Sequence, residues 1–145
     1  GNPFFARALV NRVWGAMLGK GIVNPVDDMR TSNPPSNPAL LDALAKDFAD
    51  NGYDLKHLMR RIANSRLYQL SSKPGEFNVR DTAHFSRTYL RRLSAEAMTD
   101  AVADVTGVPD NFQGMPAGAR ALQTWNFKIG SDMLDAFGRP RKTGA

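Results

Sequence analysis

Residues 2–38 constrain the fold of this chain more than any other stretch. Asn2 followed by Pro3 is a helix start, because asparagine caps well and a proline at the first helical position has no amide to leave unpaired. Apolar residues then recur at helical spacing until Gly19 and Gly21 end the pattern. So broad a stripe predicts a central helix contacted by several neighbours. It consists of Phe5, Leu9, Val10, Val13, Trp14, Met17 and Leu18.

A loop rich in acidic, asparagine and proline residues follows this helix. Asp27 and Asp28 form the only adjacent acidic pair of the chain. Pro34, Pro35 and Pro38 restrict the residues before them to extended conformations, so we expect a stiff, ordered loop on the surface. The acidic pair lacks the spacing of a calcium loop, and we predict that it accepts backbone amides or pairs with an arginine.

Three polar residues interrupt the apolar helix and are the first candidates for a binding site. Arg7 and Asn11 lie four residues apart, and Arg12 is next to Asn11. A buried arginine must be paired, since an unpaired buried charge is very costly. We therefore favour an internal network that joins this helix to Asp27 and Asp28. A ligand-binding arginine is the alternative.

Cap signals predict further helices after the loop. The predicted cap residues are Asn37, Asp54, Ser94 and Ser131, with the third helix running to Tyr68. We expect the third helix to bury Leu55, Leu58, Met59, Ile62 and Tyr68, and the fourth to bury Ala97, Ala101, Val102 and Val105. Residues 124–129 are compatible with a short strand. The predicted fold is mostly α: a single domain over residues 1–145, an irregular bundle of about five helices with long ordered loops rich in proline and glycine.

Composition excludes several classes of function within this segment. The chain has no cysteine, which excludes disulfides, a thiolate zinc site, a cysteine nucleophile and a covalently attached c-type haem. The two histidines, His57 and His84, match no zinc-binding spacing, so we predict no metal site. The net charge of +5 is spread along the chain, and no apolar run reaches the roughly 20 residues of a membrane span.

The second and third predicted helices resemble a helix-turn-helix in outline. The third carries Lys56, His57, Arg60, Arg61 and Asn64, which could contact phosphates or bases. Acidic residues of the second helix lie close in sequence, and tight helical hairpins are common in proteins without DNA. Nucleic-acid binding through the helix at 54–68 is therefore kept as a minor alternative.

Five stretches of the chain carry distinctive motifs. They read NPFFARALVNRVWGAMLGKGIVNPVDDMR, NPPSNPALLDALAKDF, GYDLKHLMRRIANSRLYQLSS, RRLSAEAMTDAVADVTGVP and FGRPR. Together these stretches resemble, in the same order, the planctomycete PSD domain, a domain of unknown function numbered 1553, and they cover most of the chain. Residues within the family's motifs include Arg7, Asn11, Arg12, Trp14, Asp27, Asp28, Asn33, Pro34, Pro35, Arg139 and Arg141.

The resemblance implies a place in a large exported or periplasmic protein, with other domains upstream. One of those domains sometimes carries haem; no cofactor is implied for this chain itself. Relatives continue past the FGRPR stretch into a cysteine-containing segment, so we expect this chain to be an excised portion that starts without a signal peptide. No catalytic residue is implied. The binding candidates are Arg7, Asn11, Arg12, Asp27, Asp28, Arg139 and Arg141.

Three hypotheses about function follow. The first is an accessory or interaction domain without activity of its own, whose partner is another domain of the same polypeptide or a separate protein. The second is part of an enzyme, with a site built from Arg12, Asp27, Asp28 and Arg139 and completed by other segments. The third is nucleic-acid binding.

Overall fold

The computed structural model describes residues 3–126 and 128–139, and within them the chain is helical. No strand occurs in this described part, including the described residues of 124–129, so the mostly α fold is confirmed. The α-helices are α1 (Pro3–Leu18), α2 (Pro38–Asp50), α3 (Leu55–Ala63), α4 (Ala95–Thr106) and α5 (Asp132–Ala136); a 3₁₀ helix spans Ala121–Gln123.

Contacts divide the chain into two compact units, with the boundary after Arg91. The first unit contains α1, α2 and α3, and the second contains α4, the 3₁₀ helix and α5. Each unit has its own cluster of buried apolar side chains. The single domain expected over residues 1–145 stays a prediction.

α1 is the central helix of the first unit, because it contributes more buried apolar side chains to the core of that unit than α2 or α3 does. Its fully buried stripe runs through Ala6, Val10, Trp14 and Leu18. Phe5, which the sequence pattern placed in this stripe, is instead more than half exposed. The apolar face of α1 is broader than the two neighbouring helices can cover, so its edge at Phe5 stays at the surface.

Local caps determine where α2 and α3 begin, as predicted. The side chain of Asn37 accepts the amide of Leu40, and the carboxylate of Asp54 accepts two amides in the first turn of α3. Between the helices the chain reverses at Gly52 and Tyr53, which have φ angles of 68° and 61°. Glycine adopts such a conformation without strain, which is why Asn51-Gly52 signalled the end of α2.

α3 is shorter than predicted, since it ends at Ala63 and not at Tyr68. The hydroxyl of Ser65 donates to the carbonyl of Ile62 and accepts the amide of Tyr68. The Ser65 hydroxyl thus bonds backbone groups that would otherwise continue the helical hydrogen bonds, so the helix ends and a turn follows.

Only one side of α3 is buried. Leu58 and Ile62 are enclosed in the core, as predicted, but Leu55 and Met59 are 45% and 47% exposed. The prediction that these two residues face inward is wrong, because α1 and α2 both contact the other side of this short helix. An apolar strip is thus left at the surface.

Residues 78–89, which carry no readable sequence pattern, complete the core of the first unit. The ring of Phe85 meets the ring of Trp14 edge-on, with centroids 5.5 Å apart. Tyr89 packs on Phe85 at 5.4 Å, and its hydroxyl accepts the Phe85 amide at 3.1 Å. Edge-to-face aromatic pairs add to the stabilisation expected from burial alone.

A turn centred on Asp81 shapes this segment. Its carboxylate accepts the hydroxyl and amide of Ser86 and the amides of His84 and Ala83. These hydrogen bonds hold the pKa of Asp81 well below its usual range, and the bond from the Ser86 hydroxyl has the largest effect.

We expect Asp81→Asn to lower the stability of the chain near neutral pH. An unfolded aspartate has a pKa of about 3.9. Because folding lowers the pKa of Asp81, its contribution is complete above about pH 4 and is lost as the pH falls further. Urea unfolding of wild type and Asp81→Asn at pH 7, 5 and 3 measures the difference between their free energies of unfolding. This difference should be smaller at pH 3 than at pH 5 or 7. The exposed Glu76→Gln is the control; a gap independent of pH would contradict the prediction.

The second unit is built on α4. Ser94 caps its start by accepting the amide of Ala97, and Gly107, with φ 71°, ends it, both as predicted. α4 contacts the 3₁₀ helix and α5. The buried cluster of this unit consists of Ala95, Phe112, Ala121 and Leu134.

The buried face of α4 differs from the predicted one. Ala101 is exposed and Val105 is 87% exposed, whereas Thr99 and Asp100 are buried. The carboxylate of Asp100 accepts the amide of Ala121 at 2.6 Å, at the start of the 3₁₀ helix. This polar contact selects the face of α4 that turns inward and leaves the valine outside.

Candidate functional site

Asn11 is the polar centre of the first unit, and its side chain is completely buried. Its amide nitrogen donates to the carbonyls of Val23 and Val26, and its oxygen accepts the Val23 amide, each at 2.9 Å. A carboxamide offers both a donor and an acceptor, so one side chain can bind the backbone of Val23 at both its groups. Asn11 thereby holds the start of the acidic loop against α1.

Arg12 makes a second connection between α1 and this loop. Its Nε donates to Oδ1 of Asp27 at 2.7 Å, and both side chains are exposed. The predicted contact between an arginine of α1 and an aspartate of the loop is thus confirmed, but the expectation that it is internal is wrong, because the pair lies at the surface. Exposed pairs of this kind contribute between about 0 and 1 kcal/mol, so Asn11 holds the loop more strongly than Arg12 does.

Two other candidates lie outside this network. Asp28 pairs with Arg30 through bonds of 2.6 and 2.7 Å, which lowers the pKa of Asp28. Arg7, one turn before Asn11, lies 3.2 Å from Asp42 of α2. The prediction that Arg7 and Asp28 join α1 to the loop is therefore wrong, because each has a closer oppositely charged neighbour.

Gly21 is required by the close approach of the loop to Asn11. A Cβ atom at this position would lie 2.2 Å from the carbonyl oxygen of Val23 and 3.0 Å from the side-chain amide of Asn11. We expect Gly21→Ala to reduce the free energy of unfolding by about 2–3 kcal/mol through this overlap. Urea denaturation checks it. Gly75→Ala, whose Cβ would have ordinary contacts, should remain within about 0.5 kcal/mol of wild type, and equal effects would refute the prediction.

Arg139 is the polar centre of the second unit and is 8% exposed. One terminal nitrogen donates to the Ile129 carbonyl at 2.7 Å, and the other donates to Oγ1 of Thr124 at 3.0 Å and to the Asn126 carbonyl at 3.4 Å. Its Nε forms an ion pair with Glu96 of α4 at 3.0 Å. The guanidinium thus organises the segment between the 3₁₀ helix and α5.

The binding role assigned to the seven candidates stays a prediction. Six lie in the described part of the chain; Arg141 lies outside the described residues. Within the first unit, Asn11, Arg12 and Asp27 are brought together. Arg139 belongs to the second unit, where groups of that unit bind its guanidinium.

The basic residues of α3 are partly neutralised by α2. Asp47 lies 2.9 Å from Nε2 of His57 and 3.7 Å from Nε of Arg61. Lys56 and Arg60 are exposed on the same helix. Since α3 ends at Ala63, the proposed nucleic-acid helix at 54–68 is shorter than expected.

A cleft of about 300 Å³ in the second unit was missed by sequence reasoning. Arg120 lies 3.4 Å from Asp100 and 2.7 Å from Asp104, and the hydrogen bond to Asp104 is the main cause of its raised pKa. Thr99 and Asp110 also line the cleft. The one sequence feature that could have indicated this cleft is the pair of polar residues at positions 99 and 100 of an amphipathic helix. Whether these two residues are buried depends on residues distant in sequence, so the pair alone does not predict a cleft.

The described residues hold neither a group of side chains suited to a metal ion nor a helix able to span a membrane. They contain no cluster of three or more histidine, cysteine, aspartate or glutamate residues placed to hold a metal ion. None of their helices combines the length and the apolar character needed to cross a bilayer.

The described geometry defines a helical protein whose polar centres bind its own backbone. Residues 1–141 match the family model PSD1, described as a protein of unknown function (DUF1553). The match spans nearly the whole chain, so this protein belongs to that family, as its motifs indicated. No curated protein and no solved structure matches it.

Proposed function

We propose that this chain is an accessory domain that binds another domain of the same polypeptide within a larger exported protein. The observation that carries the proposal is an apolar surface on the first unit, here called the α3 surface, formed by Phe5, Tyr53, Leu55 and Met59. All four are exposed by 40% or more. The rings of Phe5 and Tyr53 are in edge-to-face contact at 5.6 Å, and Leu55 and Met59 lie one turn apart on α3. Tyr53 precedes Leu55 by two residues, which brings the two pairs close along the chain, and groups of exposed apolar side chains mark interaction sites.

Charge indicates the chemistry of the partner. The exposed cations Lys56 and Arg60 lie on the same helix as Leu55 and Met59. A protein surface with an apolar centre and an acidic rim complements this arrangement, since complementary rims guide association and exclude wrong partners. A nucleic acid would contact the cations but would leave the apolar residues exposed. We therefore favour a protein as the partner.

The polar candidates fit a structural role better than a catalytic one. Asn11 uses its donor and its acceptor on the backbone of its own unit, and each terminal nitrogen of Arg139 is bonded within its own unit. A site assembled from Arg12, Asp27, Asp28 and Arg139 would have to exchange existing ion pairs for substrate. This supports an accessory role for the chain.

Calorimetric titration of this chain with the remainder of its full-length polypeptide, produced separately, tests the proposal. We expect saturable binding that a Leu55→Ser, Met59→Ser double variant weakens by about tenfold or more, because central apolar residues dominate interface energetics. Arg60→Glu should weaken binding and reduce its salt dependence. The control is Phe77→Ser, which changes an exposed apolar residue outside the α3 surface.

Three outcomes would overturn the proposal. One is the absence of binding to the remainder of the polypeptide. Another is substrate turnover by the isolated chain in an activity screen. The third is retention on DNA at low salt that is lost on reversing the charge of Arg60 and Arg61 but not in the Leu55→Ser, Met59→Ser variant, which would favour nucleic-acid binding.

Export and a haem-bearing upstream domain are part of this proposal and are supported by the family resemblance. Cell fractionation of the full-length protein in its native host should place it outside the cytoplasm. Haem staining of the same protein should show whether an upstream domain carries the group. Recovery in the cytoplasm would contradict export without affecting the α3 surface.

A further inference from the structure

A hydroxyl in the second unit is buried and makes no hydrogen bond with any described residue. Thr99, on the inward face of α4, is 2% exposed, and its Oγ1 has no partner within residues 3–126 and 128–139. In the same helix the hydroxyl of Thr106 donates to the carbonyl of Val102 at 2.8 Å, the usual arrangement for a threonine within a helix. A buried hydroxyl that makes no bond is unfavourable, so the free hydroxyl of Thr99 indicates a place for a ligand.

A second residue that lines the cleft together with Thr99 also has an unsatisfied oxygen. Oδ1 of Asp110 accepts the amide of Asn111 at 2.9 Å, but no described residue donates to its buried Oδ2. Arg120 balances Asp100 and Asp104, whereas no ion pair involves Asp110 in the described part of the chain. The cleft therefore carries excess negative charge, in a chain whose net charge is +5.

An apolar cleft adjoins this polar one. Its volume is about 310 Å³, and it shares Thr99 and Asp110 with the first cleft. Val102, Val108 and Met133 contribute apolar side chains to its wall. A ligand bound at the two unsatisfied oxygens could thus extend an apolar stem along this wall.

We propose that these two clefts, which share Thr99 and Asp110, bind a primary ammonium group carried on an alkyl stem. Oδ2 of Asp110 and the hydroxyl oxygen of Thr99 each accept a hydrogen bond from the ammonium group. Val108 and Met133 contact the alkyl stem. An ammonium is a compact point charge with rotatable donors, which suits two separate acceptors. A guanidinium prefers both oxygens of one carboxylate, and Oδ1 of Asp110 already accepts the backbone amide of Asn111.

Titration of the complete ¹⁵N-labelled chain tests this inference, with amide chemical shifts as the readout. The probes are n-pentylammonium and Nα-acetyl-lysine N-methylamide, and 1-pentanol is the uncharged control. We expect saturable shifts around residues 99–110 with either amine and much weaker ones with the alcohol. Tighter binding of the lysine derivative would identify a lysine side chain of a protein as the source; equal binding would identify a free alkylamine.

Two substitutions separate the site from nonspecific attraction. Asp110→Asn should weaken ammonium binding by about tenfold or more, since a charge-assisted bond is lost. Thr99→Val, which keeps the shape of the side chain, should weaken it by about fivefold. Glu76→Gln makes the same change in net charge at an exposed position of the first unit and should leave affinity unchanged.

The ligand-free chain supplies an independent check. Thr99→Val should raise the unfolding temperature by about 2–4 °C, because it removes an unsatisfied hydroxyl. A lower unfolding temperature would show that the hydroxyl has a structural partner and would overturn the inference. Absence of saturable shifts in wild type, or equal affinity of Asp110→Asn and Glu76→Gln, would overturn it too. None of these results depends on the α3 surface.

Discussion

Asn11→Leu is expected to reduce the free energy of unfolding by about 4 kcal/mol. Leucine keeps most of the volume of the side chain but can neither donate nor accept a hydrogen bond. The amide and carbonyl of Val23 and the carbonyl of Val26 would lose their partner without gaining access to water. Urea unfolding followed by Trp14 emission measures the loss, because this tryptophan is buried in the first unit.

Two features make this measurement specific. A Trp125→Phe background leaves Trp14 as the single tryptophan, since the chain has two. Asn51→Ala is the matched control: its side chain makes one exposed bond, to the carbonyl of Asp47, so its loss should stay below about 1 kcal/mol. Equal losses in Asn11→Leu and Asn51→Ala would show that Asn11 does not organise the loop.

Arg139→Met is expected to destabilise the second unit by about 3–4 kcal/mol. The substitution keeps an unbranched stem but leaves Glu96 without its cation, and removal of one partner of a buried ion pair is strongly unfavourable. The carbonyl of Ile129 and the hydroxyl of Thr124 lose donors as well. Hydrogen exchange of peptides covering residues 121–136 should show the loss of protection.

Arg92→Met is the control for this prediction, because Arg92 is exposed in the same unit. Arg92→Met should leave the hydrogen exchange of peptides covering residues 121–136 unchanged. Arg139→Lys should restore only part of the protection, since an ammonium cannot reproduce the planar fork of the guanidinium. Exchange in Arg139→Met that matches Arg92→Met would contradict the assigned role.

The candidate site was predicted in part. Arg12 and Asp27 were expected to meet because an arginine on an apolar helix needs a partner and the loop supplies carboxylates, and they do meet. Asn11 was correctly placed in a polar network, but its bonds to backbone groups could not be predicted from residue types. Thr99 and Asp110 carry no sequence signal of a site, because an unsatisfied hydrogen-bonding atom can be recognised only from its neighbours in the folded chain.

The sequence by itself determined the family, the helical class and the positions where α2, α3, α4 and α5 begin. Asn37, Asp54 and Ser94 cap helices as predicted, since capping bonds join residues only two or three positions apart. α3 ends earlier than predicted because of the hydrogen bonds of Ser65, which are equally local. The prediction followed the spacing of the apolar residues and did not take these bonds into account.

Only the tertiary structure decided which face of each helix is buried. Met59 and Val105 continue apolar stripes, yet both are exposed. Burial depends on what packs against a helix, and those residues lie far away in sequence. The tertiary structure also brought the backbone of Val23 to Asn11. Residues 2–38 hold both ends of that contact, but only folding placed the carboxamide within hydrogen-bond distance of the loop.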